Sequence, residues 1–170
     1  MRDDPYESMR ARYQPRHTRV LFVGESRPSG GTFFFHGDSR LAQYTCEALG
    51  TRYGPFADVP AFLARFKALG CFLIDLCPNP VNHLPKKLRR KAHRAGEIEL
   101  AVQFRHLKPR AIVVVMKAIA KSVARAAVAA ATDVPRFELP FPSHGHEREY
   151  VSGLRDAVQE LVRTGMLDAR

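Results

Sequence analysis

Between residues 20 and 41 the sequence reads VLFVGESRPSGGTFFFHGDSRL. An apolar run stops at Gly24, and Glu25, Ser26 and Arg27 follow at once, so a carboxylate, a hydroxyl and a guanidinium leave the same point of the chain. A carboxylate so placed suits general-base work on a water or stabilisation of a developing cation. The glycines let backbone N–H groups approach an anion, although the G-x-x-x-x-G-K-[ST] spacing of a phosphate loop is missing. The plainer alternative is a turn that needs Gly and Pro to leave a buried strand.

Other residues compete for a chemical role. Gly24-Glu25-Ser26-Arg27-Pro28 approximates the G-x-S-x-G elbow of serine hydrolases, with Asp75 or Asp133 and then His144 following in the order such enzymes use. Pro28 stands where that elbow needs a small residue. Gly37-Asp38-Ser39-Arg40-Leu41 resembles the G-D-S-x-L block of another esterase class, but no D-x-x-H follows near the C-terminus. It reads more simply as a helix start with Asp38 or Ser39 as N-cap. His144 and His146 flank a glycine and would need ligands from elsewhere to hold a metal, so an exposed turn is the preferred reading and no metal is expected. PKKLRRKAHR, residues 85 to 94, is either a solvated helix face or a phosphate-binding rim.

The elements that must position these groups alternate. RVLFVGE, CFLIDL (71 to 76) and RAIVVVM (110 to 116) are short continuous apolar runs, the pattern of strands buried on both faces, and RFELPF (136 to 141) is a weaker, proline-limited edge strand. Apolar faces at helical spacing lie between them: Leu41, Tyr44, Ala48 and Leu49; Phe62, Phe66 and Leu69; Leu88, Ala92, Ala95, Ile98 and Val102; Ile119, Val123, Ala127 and Ala130. Tyr150, Val151, Leu154, Val158, Leu161 and Val162 form the last. Such alternation predicts an α/β fold, a three-layer α/β/α sandwich with a central four-stranded, mostly parallel sheet. Ligands in such sheets bind beyond the carboxyl ends of the strands, so Glu25, Asp75, Lys117, Ser143, His144 and His146 are expected to become neighbours. Residues 1 to 18 are polar and aperiodic and read as a flexible or late-docking arm; residues 19 to 170 read as one domain.

Composition narrows the classes. No apolar run approaches the roughly 20 residues of a membrane-spanning helix, and the N-terminus has no apolar core of a secretion signal, so a cytoplasmic protein without a membrane partner is expected. Three cysteines, Cys46, Cys71 and Cys77, lack C-x-x-C spacing and are expected to be buried thiols. A net charge of +10 favours phosphate backbones or acidic surfaces as partners.

Taken in order, these pieces resemble the uracil-DNA glycosylase superfamily over residues 19 to about 162. Its iron-sulfur branch opens with G-E-A-P-G after the first strand and then F-V-G-x-S-G-x-L-L, where this chain has GESRPSG and FHGDSRL. A second strand ending in Asn, followed by CPP and an Asn-Arg segment, is matched by FLIDLCPNPVN, and the phrase L-x-P-x-x-I-V-x-L-G-x-x-A by LKPRAIVVVMKAIAKSV. FPSHGHEREY stands at the H-P-S-P-type loop before the last helix.

The resemblance implies a monomeric DNA-repair glycosylase, a hydrolase of base excision repair that cleaves the sugar-base bond of uracil or another damaged base flipped out of DNA. It implies catalytic roles for Glu25, Ser26 and His144, and base contacts from Phe35, Asp75 and Gly24. Arg27, Lys86, Lys87, Arg89, Arg90, Ser143, His146 and Arg148 would contact DNA. The chain departs from the family pattern at Phe141, which replaces a histidine, and at Asp75, which replaces an amide and, when ionised, offers a carbonyl no donor. With three cysteines instead of four, no iron-sulfur cluster and no other cofactor is expected. A catalytically inactive DNA-binding member of the same fold, and a serine esterase, stay open as alternatives.

Overall fold

The structure is a computed structural model and describes residues 4–170. Four parallel strands, β1 (Val20–Gly24), β2 (Cys71–Asp75), β3 (Ala111–Val114) and β4 (Arg136–Glu138), form one sheet in the order β2-β1-β3-β4. Every residue of β1 and β3 is buried, as a strand covered by helices on both faces requires. β4, the proline-limited run, takes the edge. Register sets Val20 beside Cys71 and Gly24 beside Asp75, so β1 and β2 end on the same rung.

The described residues include six α-helices: α1 (Pro5–Arg12), α2 (Arg40–Tyr53), α3 (Val59–Ala68), α4 (Lys86–Leu107), α5 (Ala120–Ala129) and α6 (Glu147–Arg163). α4 packs on α5 and α2 on α6, which gives the α/β/α sandwich that the alternation predicted. Ser39 starts α2 by accepting the Ala42 N–H, and Asp58 starts α3 by accepting that of Ala61. Between α2 and α6, Thr45 and Tyr150, both fully buried, share a hydroxyl hydrogen bond of 2.7 Å. No described helix is long and apolar enough to cross a membrane.

One sequence expectation gives way. The apolar face read on α4 is not the buried one: His93, Gly96, Leu100, Ala101 and Phe104 face inward, while Leu88, Ile98 and Val102 are exposed. Gly96 decides the rotation, because it lies where an added Cβ would stand 2.2 Å from the Leu76 carbonyl oxygen, and only a missing side chain lets the helix come so close. At the N-terminus, the stretch read as a flexible or late-docking arm contains α1. Asp4 caps it by accepting the Tyr6 N–H, and Pro5 and Glu7 occupy its first turn. The helix buries no residue completely and is held by its polar and aromatic side chains, among them Tyr6 edge-on to Phe33 and Arg10 paired with Asp75.

Candidate active site

The strand order reverses direction at β1, and a cavity of about 510 Å³ opens beyond the carboxyl ends of the strands. Each strand exit contributes to its lining: Gly24 and Glu25 after β1, Asp75 from β2, Met116 after β3, and Phe141, Ser143 and His144 after β4. Ser26, Arg27, Asn82 and Arg89 add polar groups, and Phe33, Phe34, Leu41 and Leu73 add an apolar wall. Its volume lies within the range of about 300 to 1,000 Å³ usual for small-ligand pockets. The gathering expected from topology therefore holds for Glu25, Asp75, Ser143 and His144. Lys117 and His146 are absent from the lining; both pair with Glu149, at 2.8 and 3.3 Å.

Glu25 is the most elaborately held group. Its side chain is buried, both oxygens accept from the Arg89 guanidinium at 2.5 Å, and Oε1 also faces His93 Nε2 at 2.6 Å. Burial alone would raise the Glu25 carboxyl, but Arg89 and His93 outweigh it and hold it below the ordinary glutamate value. An ionised carboxylate only accepts hydrogen bonds, so His93 Nε2 carries the proton here. Three of about four acceptor directions are thus filled and one remains on Oε2 for a water or ligand.

Arg89, read as a DNA contact, is thus the counter-ion of Glu25. It sits in the first turn of α4 and reaches inward, whereas Lys86, Lys87 and Arg90 are exposed. His93, four residues on, lies on the same helix face and completes the clamp. Sequence reasoning missed it. The signal was the i, i+4 spacing of Arg89 and His93 inside a run of cations, which sets two donors over one acceptor.

Phe35 does not line the cavity. It is 1% exposed and lies parallel to Tyr13 at 5.9 Å, with Phe33, Phe34 and Phe72 around it. A 3-10 turn at Phe34–His36 rotates the three phenylalanines apart, so that Phe33 and Phe34 reach the cavity wall and Phe35 faces the core. Asp38 fixes this turn by accepting the Phe33 N–H at 2.7 Å, and Gly37 closes it at φ +75°.

Asp75 also has a partner that the sequence did not announce. Its Oδ2 accepts from Arg10 Nη2 of α1 at 2.8 Å. Arg27 lines the cavity and is gripped from the same end of the chain: its guanidinium lies 4.2 Å from the Tyr6 ring centroid and 3.6 Å from Asp4. The helix-start signature Asp4-Pro5 with Glu7 at the third helical position was the clue to this element.

Neither serine of the hydrolase readings has a base. Ser26 Oγ accepts the Val81 N–H at 3.2 Å and ties the first loop to the segment after β2, and Ser39 Oγ caps α2. Among the described residues neither hydroxyl is bonded to a histidine. The chain after Ser26 also runs through a loop and not into the helix that an elbow requires. Ser143 is the serine with a histidine beside it: its Oγ lies 2.9 Å from His144 Nδ1, and His144 is held at φ +54°. Backbone strain of this kind at a cavity wall is a mark of functional positions. Arg148 belongs elsewhere, at a shallow depression with Tyr44 and Glu47.

All three cysteines are free, Cys71 and Cys77 buried and Cys46 partly so. Burial pushes the Cys71 thiol up to about 12 and the Cys77 thiol up to about 11, so neither is a nucleophile near neutral pH. Among the described residues no group of three or more His, Cys, Asp or Glu side chains is placed to hold a metal ion. No family model and no curated protein matches the chain.

Proposed function

We propose that this protein hydrolyses the N-glycosidic bond of a base flipped out of DNA. One observation carries the reading: a buried, ionised Glu25 opens onto an aromatic-walled cavity at the strand ends, beside the cations of α4. A base inside a duplex is out of reach, so such an enzyme needs a slot with an apolar face to replace lost stacking, and a basic rim for the phosphates. Phe141, half-buried in the lining, together with Phe33 and Phe34, supplies the apolar wall.

In the reaction the sugar C1′–N bond breaks with its electron pair going to the base, and water adds its oxygen to C1′. Positive charge grows on the sugar and negative charge on the base. Glu25 stabilises the first and, through its free Oε2 direction, takes the proton that the incoming water loses. His144, which lines the same cavity, donates to the departing base, the task for which the Phe141 ring has no donor. Gly24 leaves room at the strand end, and Ser26 holds the loop that presents Glu25. Lys86, Lys87, Arg90 and the Ser143 hydroxyl grip phosphate.

A second reading keeps the DNA surface without catalysis. The near-saturation of Glu25 by Arg89 and His93 favours it, since a carboxylate with three donors is a weaker base than a free one. Base release from oligonucleotides carrying single uracil, hypoxanthine, xanthine, alkylated or mismatched bases separates the two. Released free base, reduced at least ~100-fold by Glu25→Gln, is the expected result. Salt-sensitive binding with no release from any lesion selects the second reading.

A further inference from the structure

A carboxylate oxygen on the cavity wall is left for a ligand. Asp75 ends β2 beside Gly24; its Oδ2 is taken by Arg10, and among the described residues its Oδ1 has no hydrogen-bond partner. The space Oδ1 occupies exists because Gly24 has no side chain: a Cβ there would stand 2.7 Å from it. Both residues line the cavity.

The charges facing Asp75 are Arg10 from α1, and Arg27 and Glu25 from the loop after β1. Burial pushes the Asp75 carboxyl up, and the Arg10 guanidinium pulls it only part of the way back, so it stays above its ordinary value. Arg10 decides between the forms. Its side chain is 12% exposed and always charged, and the other carboxylate near it, Glu7 at 3.5 Å, is itself 64% exposed. A neutral Asp75 would leave the nearly buried Arg10 with only the solvent-exposed Glu7 carboxylate as counter-ion, so the two stay together as ions. An ionised Oδ1 is an acceptor only.

We infer that Asp75, positioned by Arg10, selects a base whose edge carries a ring N–H next to an exocyclic amino group, the guanine pattern, over uracil. Two adjacent donors complement a negative oxygen. In uracil the single N–H lies between two carbonyls that repel it, and in hypoxanthine the neighbouring amine is missing. The substrate class is then guanine altered on an edge that Asp75 does not touch. This inference rests on the cavity's receiving a flipped base, and Arg10 enters it as a positioning residue.

Calorimetric titration of the full chain with the deoxynucleoside monophosphates of guanine, hypoxanthine and uracil tests it. The guanine nucleotide is expected to bind at least tenfold more tightly than the other two. Asp75→Asn, which offers a donor, is expected to erase or reverse that order, and Arg10→Ala to weaken it with partial rescue by Arg10→Lys. Gly24→Ala moves Oδ1 without changing any charge and is expected to lower the preference as well, which covers an Asp75 variant that fails to fold. Equal or tighter binding of the uracil or hypoxanthine nucleotide by the wild type, or no binding of any of the three at millimolar concentration, overturns the inference. Base release is read separately: uracil release with the nucleotide order reversed sinks this inference and leaves the glycosidase reading standing, whereas the expected order without release of any base does the opposite.

Discussion

Arg89 meets Glu25 side on, its Nε and Nη2 donating to the two carboxylate oxygens at 2.5 Å across 64 residues of chain. The contact joins the loop leaving β1 to the first turn of α4 and so fixes the cavity floor from two sides. Energetically it is asymmetric. Glu25 is 6% exposed at the side chain and Arg89 31%, so the carboxylate suffers most when the pair is broken.

Arg89→Ala is therefore expected to destabilise the fold by about 2–3 kcal/mol, below the full cost of breaking a buried pair because Arg89 is partly solvated. That corresponds to a fall in Tm of about 4–12 °C for a chain of this size. The double variant Glu25→Gln/Arg89→Ala is expected to be more stable than Arg89→Ala alone, since it removes the uncompensated charge. Thermal melts of the three proteins check both statements. An Arg89→Ala melt equal to the wild type would mean that the pair contributes nothing.

The same ion pair sets a pH dependence. Glu25 is held below its ordinary value of 4.5 in the folded chain. Its contribution to stability is thus fully present above the unfolded value and is lost as pH falls through the lower, folded one. Urea unfolding of wild type and Glu25→Gln should differ by a constant amount above about pH 5 and converge as the solution is acidified further. Base release, if Glu25 acts as its anion, should show no acid limb attributable to this residue between about pH 5 and neutrality.

The frame is legible in the sequence, and the inside of the site only in part. Val20–Gly24, Cys71–Asp75 and Ala111–Val114 read as buried strands because continuous apolar runs of that length fit no amphipathic element, and their parallel order puts Glu25, Asp75, Ser143 and His144 at one edge. Pairings are harder. Arg89 and His93 sit in a run of cations where composition cannot say which one turns inward, and Gly96, which sets that rotation, carries no hydrophobic signal at all. Phe35 is misplaced by sequence alone because three adjacent phenylalanines differ only in the turn that follows them. Arg10 lies in a stretch without periodicity, since α1 is held by polar contacts and has no apolar stripe to read.

Gly96 offers a direct test of the α4 placement. Alanine is the better helix former by about 1 kcal/mol, so an exposed glycine would gain from the change. At this position the new Cβ would meet the Leu76 carbonyl oxygen at 2.2 Å, and backbone cannot move aside as a side-chain end can. Gly96→Ala is expected to lower stability by about 1–3 kcal/mol net. It should also disturb Glu25, because Arg89 and His93 ride on the same helix. Chemical denaturation gives the first effect, and the second appears as altered base release. A stabilised variant would mean that α4 does not approach β2 as described.

The start of α4 carries its charges the wrong way round for a helix. Lys86 and Lys87 lie in a first turn without an acidic residue, and the N-cap, Pro85, makes no side-chain cap. The partial positive charge at a helix N-terminus repels such cations by about 0.3–1 kcal/mol each. Replacing Lys86 and Lys87 by glutamine should therefore stabilise the protein slightly. If these residues hold phosphates, the same change should weaken DNA binding and reduce the slope of log affinity against log salt by about 1 for each phosphate no longer neutralised, uniformly across sequences. Thermal melts and fluorescence-anisotropy titrations from low to moderate salt read the two effects independently. Stability and binding moving in opposite directions would identify this turn as a phosphate-binding surface retained against the helix dipole, whereas a stability gain with an unchanged salt slope would assign the cations to solvent.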